Sequence, residues 1–236
     1  MIFQNLDEIV LAQVPLILPD TCILLDILRS PRRDTVDARS VVSAKAIVEA
    51  LSVTGSVASV VAKQVHDELT DNRADVRQDT IDGLNKLKAE LQRIDGWSGA
   101  LGVNGQADVS HALNAVVQCE VILGDWVAAS LETPTTDELT GRAHRRMMQR
   151  ATPARQGKDS FKDCLVVETY LALAATLRAK NYTGRIVFAS SNTLEFIERP
   201  GSKLHADIAQ EFGAVGIEYA RALHEAAYRL SLNVPT

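Results

Sequence analysis

Acidic and small polar side chains follow three apolar segments that have the composition of buried strands. Asp20 directly follows VPLILP, and Glu68 comes shortly after GSVASVVA. Ser190, Asn192 and Glu195 follow GRIVFA. Because the carboxyl ends of parallel strands meet at one edge of a sheet, these side chains are expected to lie near one another in a crevice.

Two more carboxylates occur on the helix that leads into the third apolar segment. Asp159 and Asp163 lie in GKDSFKDCLVVETYLALA and are four residues apart, so they share one helix face. Carboxylates gathered in one place repel each other unless a cation lies among them. A ligand set of oxygens without His or Cys favours Mg²⁺ or Mn²⁺ over Zn²⁺. Such an ion makes a bound water easier to deprotonate and stabilises charge on a transferring phosphoryl group.

The elements that must position these residues alternate between strand-like and helix-like patterns. This alternation predicts an α/β domain, a three-layer α/β/α sandwich with a central, mostly parallel sheet. Strands are predicted at 14–20, 55–62 and 184–192, with a short one near Ile217, and helices at 37–53, 107–131 and 159–180. Residues 72–155 are interpreted as a helical elaboration between the second and third strands, with a flexible loop at glycines 96, 99, 102 and 105. No linker or repeat divides the chain, so a single domain over 1–236 is predicted.

Bulk composition narrows the function classes. The chain has 236 residues and a formal net charge of −5, so binding to nucleic acid would need a local basic patch. Cys22, Cys119 and Cys164 are widely separated and odd in number, which indicates reduced thiols in a cytoplasmic protein. Neither a P-loop nor an HExxH pair occurs. We expect no signal peptide and no membrane segment.

One basic segment interrupts this acidic chain. Residues 142–158 hold six cationic side chains, and they lead directly into the helix with Asp163; they are Arg142, Arg145, Arg146, Arg150, Arg155 and Lys158. Cations beside an acidic site would hold a phosphate backbone and make binding depend on salt. A solvated helix face or a docking surface for an acidic partner would have the same composition.

Four motifs occur in the order that is typical of PIN-domain nucleases: LILPDTCILLDIL, VAKQVHDEL, GKDSFKDCLVVETYLALA and IVFASSNTLEF. The chain resembles the larger bacterial PIN-like proteins with a KDxxxD segment. The resemblance implies an endoribonuclease with the PIN fold. Such an enzyme would use Mg²⁺ or Mn²⁺ to hydrolyse RNA phosphodiester bonds. It also implies a toxin or defence nuclease of the cytoplasm, with an antitoxin or other protein partner and a homodimer as further expectations.

The resemblance assigns roles residue by residue. Asp20, Glu68 and Asp163 match the first three acids of the family, which bind metal and support catalysis. The fourth family position is usually Asp, and here Asn192 takes the catalytic role and Glu195 the metal-binding role. Two further site candidates are Ser190, which matches the small polar residue of the last motif, and Asp159.

Other interpretations of the same residues stay open. Asp20 could cap the helix that follows it, and Glu68 could be a solvated helix residue, with Asp67 almost as good a candidate. Because the fourth motif departs from the family, a non-catalytic PIN-like module that binds RNA or protein is the alternative function. A phosphotransferase of the haloacid-dehalogenase kind would need Asp where Cys22 stands.

Overall fold

A five-stranded, all-parallel sheet forms the centre of the protein. The computed structural model describes residues 2–29, 37–103, 105–154 and 160–234. The strands are β1 (Leu16–Pro19), β2 (Ala58–Ala62), β3 (Leu131–Thr133), β4 (Ile186–Ala189) and β5 (Ile217–Ala220), in the spatial order β3-β2-β1-β4-β5. The predicted α/β class and parallel sheet are confirmed. The strand order reverses at β1, so the crevice between β1 and β4 is the switch point where such sheets bind ligands.

Helices cover both faces of this sheet. They are α1 (Leu6–Ala12), α2 (Thr21–Leu25), α3 (Ala38–Glu49), α4 (Lys63–Ala100), α5 (Ser110–Ala129), α6 (Asp137–Gln149), α7 (Phe161–Ala179), α8 (Thr193–Phe196), α9 (Ala206–Val215) and α10 (Leu223–Arg229). A π-helical turn, Ala50–Thr54, extends α3. Helix α3 packs on α5 and α10, whereas α7 packs on α6 and α9, which makes a three-layer sandwich.

The strands are buried on both faces because helices cover both sides. Every residue of β1, β2 and β4 is buried, which explains why these segments are continuous apolar runs and do not alternate. On one side, four aromatic rings pack around Phe188 of β4, with centroids 5.4 to 6.0 Å away; they are Tyr170, Phe196, Phe212 and Tyr219. The core therefore fixes the strands whose ends carry the predicted site.

Two predictions within residues 72–155 need correction. The stretch is not only helical, because it contains β3, which pairs in parallel with β2. Three residues are too few to show a periodic pattern, so the predicted third strand is in fact β4. The predicted flexible loop is also shorter, since Gly96 and Gly99 lie within α4. Only past Ala100 does a glycine, Gly102, take a positive φ of 77° and end the helix.

One buried hydroxyl ties the ends of β1 and β2 together. Tyr170 Oη donates to the Pro19 carbonyl at 2.7 Å and accepts from the Ala62 N–H at 3.1 Å. Burial raises the pKa of the Tyr170 hydroxyl, so it remains a neutral donor. Helix α7 thereby fixes the two strand ends that precede Asp20 and Glu68.

Replacing Tyr170 with Phe should therefore destabilise the fold. The change leaves a buried carbonyl and a buried N–H without this partner, which should lower the free energy of unfolding by about 1–3 kcal/mol. Urea denaturation would measure it, with Tyr228→Phe as the matched control, because Tyr228 is 83% exposed. Equal unfolding midpoints for the two variants would contradict this role of Tyr170.

Candidate active site

The parallel register of β1 and β4 brings Asp20 and Ser190 side by side. Pro19 pairs with Ala189 in the last position of the ladder, and the Asp20 N–H donates to the Ala189 carbonyl at 2.9 Å. The next residue on each strand is thus Asp20 on one and Ser190 on the other. Ser190 Oγ donates to Asp20 Oδ2 at 2.7 Å. The two predicted site residues meet at the switch point of the sheet.

Asp20 is both the cap of α2 and a nearly buried carboxylate. Its Oδ1 accepts from the Thr21 N–H at 2.8 Å, and its Oδ2 also accepts from Cys22 Sγ at 3.1 Å. Burial raises the pKa of Asp20 despite hydrogen bonds from Ser190, Cys22 and Thr21 that lower it, and the Glu68 charge raises it further. A cation placed beside Asp20 would favour the charged carboxylate and lower this pKa.

Glu68 reaches the same edge from the second turn of α4. Its Oε2 accepts from Thr21 Oγ1 at 2.9 Å, and its Oε1 accepts from Gln64 Nε2 at 3.0 Å. Asp67, by contrast, forms a half-exposed ion pair with Lys63. The two neighbouring acids therefore have different partners. Glu68 contacts Thr21, the residue that follows Asp20, whereas Asp67 contacts Lys63.

The segment after β4 links Ser190 to a second acid. The Asn192 N–H donates to Ser190 Oγ at 3.3 Å, and Asn192 Nδ2 donates to Glu195 Oε2 at 2.6 Å. Glu195 is only 4% exposed. Asn192 thus orients the Glu195 carboxylate. The amide of Asn192 stands at the position where the resemblance to PIN-domain nucleases predicts an acid.

Asp163 lies in the first turn of α7, on the side of Glu195. Since α7 leads back to the start of β4, its N-terminus lies at the carboxyl edge of the sheet. Burial raises the pKa of Cys164 to about 12, and the charges of Asp163 and Glu195 contribute to that rise. Both carboxylates therefore lie within electrostatic range of the Cys164 thiol. Asp159 lies outside the described residues.

A hard divalent cation fits the donor atoms of the pair Asp20 and Glu68. Mg²⁺ is usually held by one or two carboxylates, with water and substrate phosphate as its other ligands. In the described parts of the chain, no three or more His, Cys, Asp and Glu side chains converge closely enough to hold one ion. Among the predicted acids, Asp20 and Glu68 share Thr21 as a hydrogen-bond partner, since the Thr21 N–H donates to Asp20 and Thr21 Oγ1 donates to Glu68.

The basic segment divides between exposed and internal side chains. Arg145 and Arg150 are exposed, and Arg142 forms an ion pair with Glu138 at 2.6 Å. Arg155 and Lys158 lie outside the described residues.

Arg146 is not available to a nucleic acid, contrary to its predicted role in RNA binding. It is 4% exposed and contacts Glu168 and Glu211, each at 2.6 Å, and the Thr152 carbonyl at 2.6 Å. Its charge is therefore satisfied inside the protein, where it holds α6 against α7 and α9.

Three contacts of the site were not predicted from the sequence. Thr21 orients Glu68, Cys22 contacts Asp20, and Tyr219 Oη donates to the Ser190 carbonyl at 2.8 Å. The contact between Gln64 and Glu68 could have been predicted, because the two residues are four apart on one helix. The contacts of Thr21 with Glu68 and of Tyr219 with Ser190 could not, since these partners are distant in sequence.

Helix α5 and the groove beside it lie apart from this site. By length and composition alone, α5 could cross a membrane; of its 20 residues, only Val116, Leu123 and Trp126 are buried in the fold. A groove of about 720 Å³ runs between α3, α4 and α5 and has a mostly apolar lining. Asp20, Glu68, Asp163 and Glu195 do not contribute to it.

No protein-family model, curated protein or solved structure matches this chain.

Replacing Asp20 with Asn should stabilise the metal-free protein at neutral pH. Because the folded-state pKa of Asp20 is raised, the charged carboxylate opposes folding, and stability falls as pH rises from about 4 through that pKa. Asn keeps the cap acceptor and removes the charge. In EDTA at pH 7.5, each kcal/mol gained should raise Tm by about 2–4 °C.

The gain from Asp20→Asn should shrink toward pH 4, where the wild-type carboxyl takes up a proton. Scanning calorimetry at both pH values would measure this. Asp75→Asn, at an exposed position on α4, is the control for lost negative charge. A lower Tm for Asp20→Asn at pH 7.5 would contradict the account of Asp20 as a destabilising charge.

Proposed function

We propose that this protein is a Mg²⁺- or Mn²⁺-dependent endoribonuclease. The observation that carries the proposal is the pair of carboxylates, Asp20 and Glu68, which share Thr21 as a hydrogen-bond partner at the carboxyl edge of the parallel sheet. Asp20 follows β1 and Glu68 follows β2, so two neighbouring strands contribute one acid each. Burial and, to a smaller extent, the charge of Glu68 raise the pKa of Asp20, and a divalent cation bound by both carboxylates would offset both effects.

The residues around the pair support its use for binding a cation. Ser190 and the Thr21 N–H each donate to one oxygen of Asp20, and Thr21 Oγ1 donates to Glu68. These contacts hold both carboxylates in fixed orientations, as second partners of metal ligands usually do. When bound, Mg²⁺ would supply an activated water and neutralise charge on the phosphate.

Asn192, Glu195 and Asp163 are proposed to act beside the cation. Asn192 holds Glu195 by a hydrogen bond of 2.6 Å and also donates to Ser190 from its N–H. A carboxylate held in this way can accept a proton from water or position a water molecule. Asp163 and Glu195 would so complete the catalytic set that the PIN resemblance assigns.

RNA as the substrate is supported by the PIN-like order of the motifs and by exposed cations near the site. Arg145 and Arg150 are exposed at the end of α6, where they can contact phosphates. The resemblance extends the proposal to a toxin or defence nuclease of the cytoplasm, with an antitoxin as its partner and a homodimer as its assembly.

A non-catalytic PIN-like module that binds RNA or protein is the second candidate. One observation favours it: both oxygens of Asp20 and both oxygens of Glu68 already accept hydrogen bonds within the protein. A site whose acids are satisfied in this way has less need of a cation. The two candidates differ in whether cleavage follows binding.

Cleavage of an internally labelled RNA would test the leading proposal. The wild-type protein should cleave in Mn²⁺ and stop in EDTA. Asp20→Asn and Glu68→Gln should each lose about 100-fold or more in rate, because each removes a metal ligand. Asp75→Asn should match the wild type, since it lies away from the site.

Equal cleavage by Asp20→Asn and the wild type would refute the assignment of the metal site. RNA that is bound but never cleaved, with or without Mn²⁺, would favour the non-catalytic module instead.

A further inference from the structure

A second cavity, separate from the groove between α3, α4 and α5, has Glu195 in its wall. Its volume is about 620 Å³, within the range of small-molecule sites. Its walls are the turn after α6, the segment from α8 to Arg199, and the start of α9. Glu195 lines this cavity, and Ser190, five residues earlier, contacts Asp20. The Asn192 N–H donates to Ser190 Oγ and Asn192 Nδ2 donates to Glu195, so a chain of hydrogen bonds links the cavity wall to Asp20.

Two arginines and a histidine line the cavity. Arg150 and Arg199 are exposed, and neither has an ion-pair partner among the residues that the structure describes. His205 is the N-cap residue of α9 and also lines the cavity. Arg146, by contrast, has its charge satisfied by two carboxylates.

Two acids line the cavity, and each accepts hydrogen bonds within the protein: Glu195 from Asn192, and Asp207 from the turn after α6 and from its own helix. Asp207 accepts from the Thr152 N–H at 2.7 Å, from Thr152 Oγ1 at 2.8 Å and from the Ile208 N–H at 2.8 Å. Burial opposes the charged form of Asp207, but these hydrogen bonds outweigh it and lower the pKa. Asp207 therefore holds the turn after α6 in place, and Arg150 and Arg199 keep their charge available to a ligand.

The same cavity also presents an apolar surface. Leu194 is 50% exposed and lines the cavity together with Ile197 and Ala154. An exposed leucine beside two arginines suits a ligand with one flat apolar part and one anionic part. Inorganic phosphate would use the cations only, whereas a nucleotide would use both.

We propose that this cavity binds one nucleotide of the RNA strand, next to the phosphodiester bond at Asp20 and Glu68. Arg150 and Arg199 contact its phosphate, and its base lies against Leu194. This inference deepens the proposed nuclease function and rests on it for the identity of the ligand. Arg199, His205 and Leu194 thereby become substrate-positioning residues.

Binding of a fluorescently labelled single-stranded RNA in EDTA would test the cavity without any cleavage. Anisotropy should be measured over a series of salt concentrations. The double variant Arg150→Ala/Arg199→Ala should bind about 10-fold more weakly. Its slope of log K against log salt should be smaller by about 0.7, the value for one lost phosphate contact on a single strand.

Two further variants separate the parts of the proposal. Leu194→Ala should weaken binding with an unchanged salt slope, because it removes a contact to a base and not to a phosphate. Arg93→Ala/Arg185→Ala is the control for lost charge, since Arg93 lies on the distal part of α4 and Arg185 precedes β4, at the opposite edge of the sheet. This control should bind as the wild type does.

Each other result decides a specific claim. Wild-type binding by Arg150→Ala/Arg199→Ala, or no RNA binding by the wild type at all, overturns the cavity proposal. A loss for that variant with no effect of Leu194→Ala overturns the nucleotide and leaves a phosphate site. A protein that binds through Arg150 and Arg199 but never cleaves RNA refutes the nuclease and keeps the cavity.

Discussion

The parallel pairing of β1 with β4 is the constraint on which the candidate site depends. It places Asp20 next to Ser190, and the hydrogen bond of 2.7 Å between them holds the carboxylate at the open edge of the sheet. Tyr170 forms hydrogen bonds to the ends of both β1 and β2, so helix α4, which carries Glu68, starts from a fixed position. A shift of one residue in this register would turn Asp20 away from the crevice.

A conflict between burial and charge gives this site its chemical character. Burial opposes the charged form of Asp20, and the nearby charge of Glu68 opposes it too. A structural role alone does not explain both acids, because a neutral Asn or Ser would cap α2 equally well. A cation bound at the pair, as proposed, would offset both effects, in the way that functional sites commonly trade stability for activity.

The sequence predicted those parts of the structure that depend on local pattern. Buried strands are continuous apolar runs, so the position of Asp20 at a strand end followed directly. Strand β3 has three residues and shows no pattern, and the partners of Arg146 are 22 and 65 residues away. Likewise, Asp67 and Glu68 are adjacent acids that the sequence does not distinguish, and only the orientation of α4 places Glu68 beside Thr21.

Calorimetric titration of Mn²⁺ into the metal-free protein, without RNA, tests most directly whether Asp20 and Glu68 form a cation site. The account predicts that the wild type and Asp75→Asn bind Mn²⁺ at a single site and that Asp20→Asn loses this binding. Unchanged Mn²⁺ affinity in Asp20→Asn, or no binding by the wild type, would contradict it.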